Sequence, residues 1–201
     1  MKQLLRPTKW ALFIGIVSYF ITACNSPYTP KPKGYFKINF PEKKYQTFDV
    51  AGYPYTFEYP VYAQVLKDST FFNAQAENPW WINIDFPQFN GRIYISYKAI
   101  GANQLDKLVN DAFKLTNKHT TKASSIDEML INTPNNIYGV FFNVGGDVAT
   151  ANQFFVTDSS RHFLRGALYF DATPNQDSLG IVNDYLVKDM QHLINTFKWR
   201  K

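Results

Sequence analysis

What most limits the fold open to this chain is an alternation of period two that runs through most of its length and gives way to helical period only twice. In Trp81-Ile82-Asn83-Ile84-Asp85-Phe86 the residues Ile82, Ile84 and Phe86 share one face. Pro87 to Gly91 turns the chain and Arg92-Ile93-Tyr94-Ile95-Ser96-Tyr97 returns, which predicts a hairpin. Tyr45 to Val50 and Tyr53 to Tyr59 flank an Ala51-Gly52 turn as two further strands, and Val61 to Leu66 offers a third. Asp68 to Pro79 carries Asn, Gln, Glu and Pro and reads as a loop. Ser124 to Thr133 holds a short strand. Ile137 to Val144, Ala149 to Thr157 and His162 to Phe170 then form a meander, joined through Gly145-Gly146-Asp147 and Asp158-Ser159-Ser160-Arg161. Phe, Tyr and Trp make up 17% of the residues, a composition that suits a pleated, half-buried surface.

The two exceptions are amphipathic. Leu105, Leu108, Val109, Ala112 and Phe113 recur at helical spacing after Asn103, a suitable cap, and this helix ends near Asn117 to Thr121. From Leu179 to Phe197 a second stripe gathers Val182, Tyr185, Leu186, Met190, Leu193, Ile194 and Phe197 on one side. Two apolar stripes need two surfaces to bury them. The expectation is an α+β domain: a mainly antiparallel sheet of six to eight strands flanked by two long helices. No repeat or long break interrupts residues 45–201, which read as a single globular domain.

The N-terminus is of another kind. Lys2, Arg6 and Lys9 precede an apolar run from Trp10 to Ile21, and Ile21-Thr22-Ala23-Cys24 looks like a bacterial lipobox. The run is shorter than the about 20 apolar residues a spanning helix needs. Residues 1–23 are therefore expected to be a lipoprotein signal peptide, with Cys24 acylated and the membrane reached through its acyl chains. Cys24 is the sole cysteine, so lipidation leaves no thiol for a disulfide. Residues 24–44 form a Pro- and Lys-rich tether with Pro27, Pro30 and Pro32. Its Lys31, Lys33, Lys37, Lys43 and Lys44, opposed by Glu42, either meet anionic headgroups or are simply solvated. Three of the 21 Lys and Arg lie in the removed segment, leaving 18 against 16 acidic residues, or +2. An excess that small, on an exported chain, gives no reason to expect a nucleic-acid partner.

Few residues suggest chemistry. His119, His162 and His192 stand far apart without a second His or Cys at metal spacing, so no metal or other cofactor is expected. Asp158, Ser159 and His162 admit two readings, a hydrolase constellation or the ordinary polar residues of a turn. There is no G-x-S-x-G, P-loop or G-x-G-x-x-G, and the chain is not expected to be an enzyme. Trp80 and Trp81 are the sharper anomaly. Adjacent strand residues point to opposite faces, so one indole is exposed for a partner or ligand unless the sheet is covered on both sides.

Further segments resemble a known family. Tyr28-Thr29-Pro30-Lys31-Pro32-Lys33-Gly34-Tyr35-Phe36 and Phe40-Pro41-Glu42-Lys43-Lys44-Tyr45, directly after the cysteine, resemble the gliding-motility lipoprotein GldD family of Bacteroidetes. So do Ile93 to Tyr97, Thr157-Asp158-Ser159, Phe163 to Phe170, and Asp189 through His192-Leu193-Ile194 to Phe197 and Trp199. The resemblance implies a cell-envelope lipoprotein of the gliding and type IX secretion machinery, partnered by other envelope proteins of that machinery and without enzymatic activity or cofactor. It offers no catalytic residues to transfer. The order of elements also looks like a Mog1/PsbP-like α-β-α sandwich. Asn25-Ser26-Pro27-Tyr28 lacks an acidic run of the kind associated with surface export, which favours the periplasmic side. The competing reading is an envelope lipoprotein that holds a glycan or lipid through exposed aromatics.

Overall fold

The computed structural model describes residues 37–200, apart from 69, 72, 73, 102 and 103 and the side chains of 70, 71, 74 and 75. The signal peptide, Cys24 and most of the tether lie outside the described residues. The folded unit runs from Ile38 to Lys201. In chain order it contains β1 (Tyr45–Phe48), β2 (Tyr55–Pro60), β3 (Gln64–Lys67), β4 (Thr70–Phe71), β5 (Ala74–Gln75), β6 (Ile82–Phe86) and β7 (Gly91–Ala99). There follow α1 (Leu105–Asn117), β8 (Ala123–Thr133), β9 (Ile137–Gly146), β10 (Asn152–Thr157), β11 (His162–Phe170), α2 (Gln176–Thr196) and β12 (Lys198–Trp199).

A seven-stranded sheet of order β3-β6-β7-β11-β10-β9-β8 carries the architecture, and every neighbouring pair in it is antiparallel. Period two sorts its residues onto two faces. Phe141, Phe154, Val156, Leu164 and Leu168 point to the side where Leu186, Met190 and Leu193 of α2 close the main core. Their chain neighbours Val140, Phe142, Phe155 and Phe163 point the other way and are met by Leu108 and Ala112 of α1. The α+β expectation, a mainly antiparallel sheet flanked by two long helices, is what the chain adopts. The predicted hairpin is β6–β7, and the predicted meander is β9-β10-β11.

Tertiary context altered the details. The first two strands do not join the large sheet. They form a separate sheet with β12, in which Trp199 pairs with Tyr55, so the chain's last strand closes on its first hairpin. The stretch read as a loop contains the short hairpin β4–β5. The strand read as short, β8, has 11 residues because it follows β9 along its length. Helix α2 begins earlier than its apolar stripe, at Gln176, where the Asn175 side chain accepts the Ser178 N–H at 3.1 Å as an N-cap. Asn103 lies outside the described residues, and the cap position of α1 is Gln104, whose side chain makes no capping bond. The folded unit also begins before residue 45, so Phe40 to Lys44, read as tether, belong to the globular body.

Two glycines test this packing in opposite directions. A Cβ on Gly139 in β9 falls 1.9 Å from the Phe155 carbonyl oxygen, whereas a Cβ on Gly180 in α2 has nothing within 4 Å. Gly139→Ala is expected to destabilise by about 1–3 kcal/mol, or roughly 2–4 °C in Tm for each kcal/mol. Gly180→Ala should stabilise by about 0.5–1 kcal/mol through helix propensity. Thermal melts of the two variants beside the parent check both signs.

Candidate functional site

The hydrolase candidates come together as a turn. Asp158 Oδ1 accepts the backbone N–H groups of Ser160, Arg161 and His162 at 3.0, 2.8 and 2.8 Å. Ser159 sits in the left-handed region at φ 64, its N–H donating to Thr157 Oγ1 at 2.9 Å. His162 Nδ1 is 2.7 Å from the Tyr97 hydroxyl, and its ring stacks on Trp199 at 5.0 Å between centroids. Burial pulls His162 below the ordinary histidine range, against the pull of Asp158. Burial acts to raise the Asp158 carboxyl, but its three backbone donors outweigh that and hold it low. These residues order the β10–β11 connection, with Tyr97 rather than Ser159 as the partner of His162.

Trp80 and Trp81 precede β6 rather than forming part of it, so the opposite-face argument does not apply to them. Trp80 is half-buried edge-on to Tyr97, with its indole N–H donating to the Gly52 carbonyl at 2.7 Å. Trp81 is 7% exposed and donates to the Tyr97 carbonyl at 2.8 Å. Both indoles knit the β6–β7 hairpin to its surroundings. Trp81 also lines a cleft of about 420 Å³ between α1 and the sheet. A second hollow on that face, of about 460 Å³, contains Tyr94, Tyr169 and the Arg92–Asp85 pair, which is bidentate at 2.6 and 2.6 Å.

A dense polar cluster joins the first residues of the folded unit to α2. Asp189, 2% exposed, stands on the buried stripe of α2. Lys43 Nζ reaches its Oδ2 at 2.6 Å, the Tyr45 hydroxyl donates to Oδ1 at 3.0 Å, and the Tyr62 hydroxyl donates to Oδ2. Lys43 also donates to the Tyr185 carbonyl at 2.8 Å and lies 3.4 Å from the centre of the Tyr185 ring. Burial draws its ammonium below the ordinary lysine range, against the opposing pull of Asp189. Burial and Asp189 together push the Tyr45 hydroxyl up to about 12. Lys43 is thus a folded-domain residue, its ammonium engaged by Asp189 and the Tyr185 carbonyl. Sequence reasoning missed this cluster, although a carboxylate three residues from Leu186 on the same helical stripe was its visible signal.

The opposite end of the large sheet is open. Strand β8 is its edge, and along it Leu130 is 89% exposed and Met129 46%. Neighbouring Tyr138 on β9 is 42% exposed.

A family model described as gliding motility lipoprotein GldD matches residues 25–199. The chain belongs to the GldD family. That membership makes it a lipid-anchored envelope protein with a role in gliding. The GldD match begins at Asn25, immediately after Cys24, which itself lies outside the described residues. No curated protein matches. Among solved structures, that of cyanobacterial PsbP (CyanoP) from Synechocystis sp. PCC 6803 is similar at 12% identity and a TM-score of 0.47. The likeness covers 83% of this chain and 98% of that one.

Two measurements probe the clusters of this GldD-family domain. Lys43→Met leaves Asp189 buried without its cation. Breaking a buried pair costs about 3–5 kcal/mol, and the lower end is expected because the Lys43 side chain is 26% exposed. Urea unfolding of the variant checks it. The second is pH. His162 and His119 are both held below the ordinary value, chiefly by burial. Around pH 6 the unfolded chain therefore binds more protons than the folded one. Their contribution to stability is present above about pH 6.5 and is lost as pH falls through and below that value. Tm should drop from pH 7 to pH 5, with a shallower slope when His119→Gln and His162→Gln are combined.

Proposed function

We propose that this protein is a non-catalytic, lipid-tethered interaction module that helps assemble or stabilise the gliding and type IX secretion machinery. Acyl chains on Cys24 hold it at the membrane, and the folded body faces the periplasm. Family membership supports the setting, and the observation that carries the interaction is the β8 edge. An edge strand presents unpaired backbone groups, and proteins usually blunt long ones with Lys, Pro or bulges. Strand β8 is 11 residues long, and its single irregularity lies at its start, between Ala123 and Ser125. Leu130, opposite Val140 on the α1 face, projects from it almost wholly exposed. A strand from another envelope protein of the machinery can extend the sheet there through main-chain hydrogen bonds, with Leu130 supplying specificity. The turn at Asp158, Ser159 and His162 supports the non-catalytic part of the reading, since the Asp158 carboxylate is engaged in ordering the backbone and the His162 ring is engaged by Tyr97.

The test uses Leu130→Lys in the native chromosomal copy. A position 89% exposed should tolerate the change within about 0.5 kcal/mol, so Tm and abundance stay normal. Gliding, secretion and co-purification with other motility proteins are expected to fail. A Leu130→Lys strain that glides and secretes like its parent overturns the edge as the docking element. Cys24→Ser in parallel should abolish labelled-palmitate incorporation and mislocalise the protein; continued incorporation would overturn the anchor.

A further inference from the structure

The face of the sheet that receives α1 is wider than the helix. Leu108 and Ala112 cover Val140, Phe142, Phe155 and Phe163 on β9, β10 and β11. Towards β7 a cleft of about 420 Å³ remains open beside the helix. Its apolar lining includes Trp81, Leu115 and Phe163, and Leu115 is 38% exposed at its rim. Its polar lining is lopsided in charge: Lys98, Lys114, Lys118 and Arg165 face a single carboxylate, Asp111. Lys98 already pairs with Glu77 at 2.8 Å. Lys114 and Lys118 occupy the end of α1, where the helix dipole favours cations.

Arg165 has no such account. It stands on β11 among the packed aromatics, and its acceptors are neutral groups, Gln153 Oε1 and the Tyr169 hydroxyl. Among the described residues no carboxylate pairs with it. Burial draws the guanidinium below its ordinary range. Gln153, 1% exposed, leaves its amide nitrogen unpartnered beside it. A desolvated guanidinium without an anion is costly, and its forked donors match a carboxylate. The same cleft offers an apolar wall ending in an aromatic ring. A largely pre-formed hollow with a few convergent polar groups is how small ligands are usually held.

We propose that this cleft binds an amphiphilic carboxylate, with its anionic head on Arg165 between Lys114 and Lys118 and its apolar body against Trp81, Leu115 and Phe163. Such a ligand supplies the missing countercharge and covers the exposed apolar rim in one event. The site lies on the α1 face and draws on neither the β8 edge nor the lipid anchor, so it stands or falls independently of the docking role.

The full-length protein in phosphatidylcholine vesicles is titrated calorimetrically with phenylbutyrate, and protein-free vesicles give the blank. Uncharged phenylbutanol and inorganic phosphate are the comparison probes. Phenylbutyrate is expected to bind saturably, with each comparison probe about tenfold weaker, because head and body contribute separately. Arg165→Gln should weaken phenylbutyrate about tenfold. Arg165 is part of the packed face, so the exposed pair Lys114→Glu and Lys118→Glu serves as a second variant that keeps the fold. It should weaken binding several-fold and flatten its salt dependence. Three outcomes each overturn the proposal: no saturable heat below about 10 mM phenylbutyrate, equal binding of the alcohol, or unchanged affinity in the Lys114→Glu, Lys118→Glu protein.

Discussion

The contact on which the rest of the arrangement depends is that between Lys43 and the buried carboxylate of Asp189. A charge 2% exposed is tolerated only with partners, and Asp189 gathers three side chains from outside its own helix. Those partners lie on the incoming segment, on β1 and just after β2. Satisfying one carboxylate therefore fixes α2 against all three. The same helix continues the attachment further along. His192 stacks on Tyr45 at 3.5 Å and meets Glu58 at 2.7 Å, and the Thr196 hydroxyl accepts the Glu58 backbone N–H at 3.0 Å. Breaking such a pair costs far more than forming it gains, so its value lies in making one docking of the N-terminal segment much better than its alternatives.

The docking continues toward the start of the folded unit. Phe40 stacks on Tyr185 at 4.4 Å, and the Tyr185 hydroxyl donates to the Pro41 carbonyl at 2.6 Å. The chain is thus held to the body up to the first residues of the folded unit. Among the described residues no helix is long and apolar enough to cross a membrane.

The two faces of the large sheet are used differently. The α2 face is covered over most of its strands by one long helix and the small sheet, its aromatics closing on the fully buried Phe197, while Met129 at the β8 end of that face stays 46% exposed. The α1 face is covered only in its middle. Beyond the helix on one side lie the charged cleft and the Arg92–Asp85 hollow, and on the other lies the exposed end of β8. A helix of 13 residues does not span seven strands, so these hollows and the β8 edge are left uncovered by it.

Much of this was legible in the chain. Period two in Ile82, Ile84 and Phe86, and helical period from Leu105 to Phe113, are local consequences of which residues can share a face, so they survive any tertiary setting. The two stripes made a two-sided, helix-flanked sheet the expected solution, and the segments around Cys24 pointed to the right family. What the sequence could not decide were relations between distant residues. That β1 and β2 leave the large sheet follows from β12 arriving beside β2, a pairing across about 140 residues. That Trp80 and Trp81 are absorbed by Gly52 and Tyr97, and that Lys43 belongs to the domain, likewise depend on partners far along the chain. Local pattern determined the elements and the faces they bury. Only the packed structure decided which polar groups would find partners, because pairing a buried charge or indole requires neighbours that periodicity does not specify.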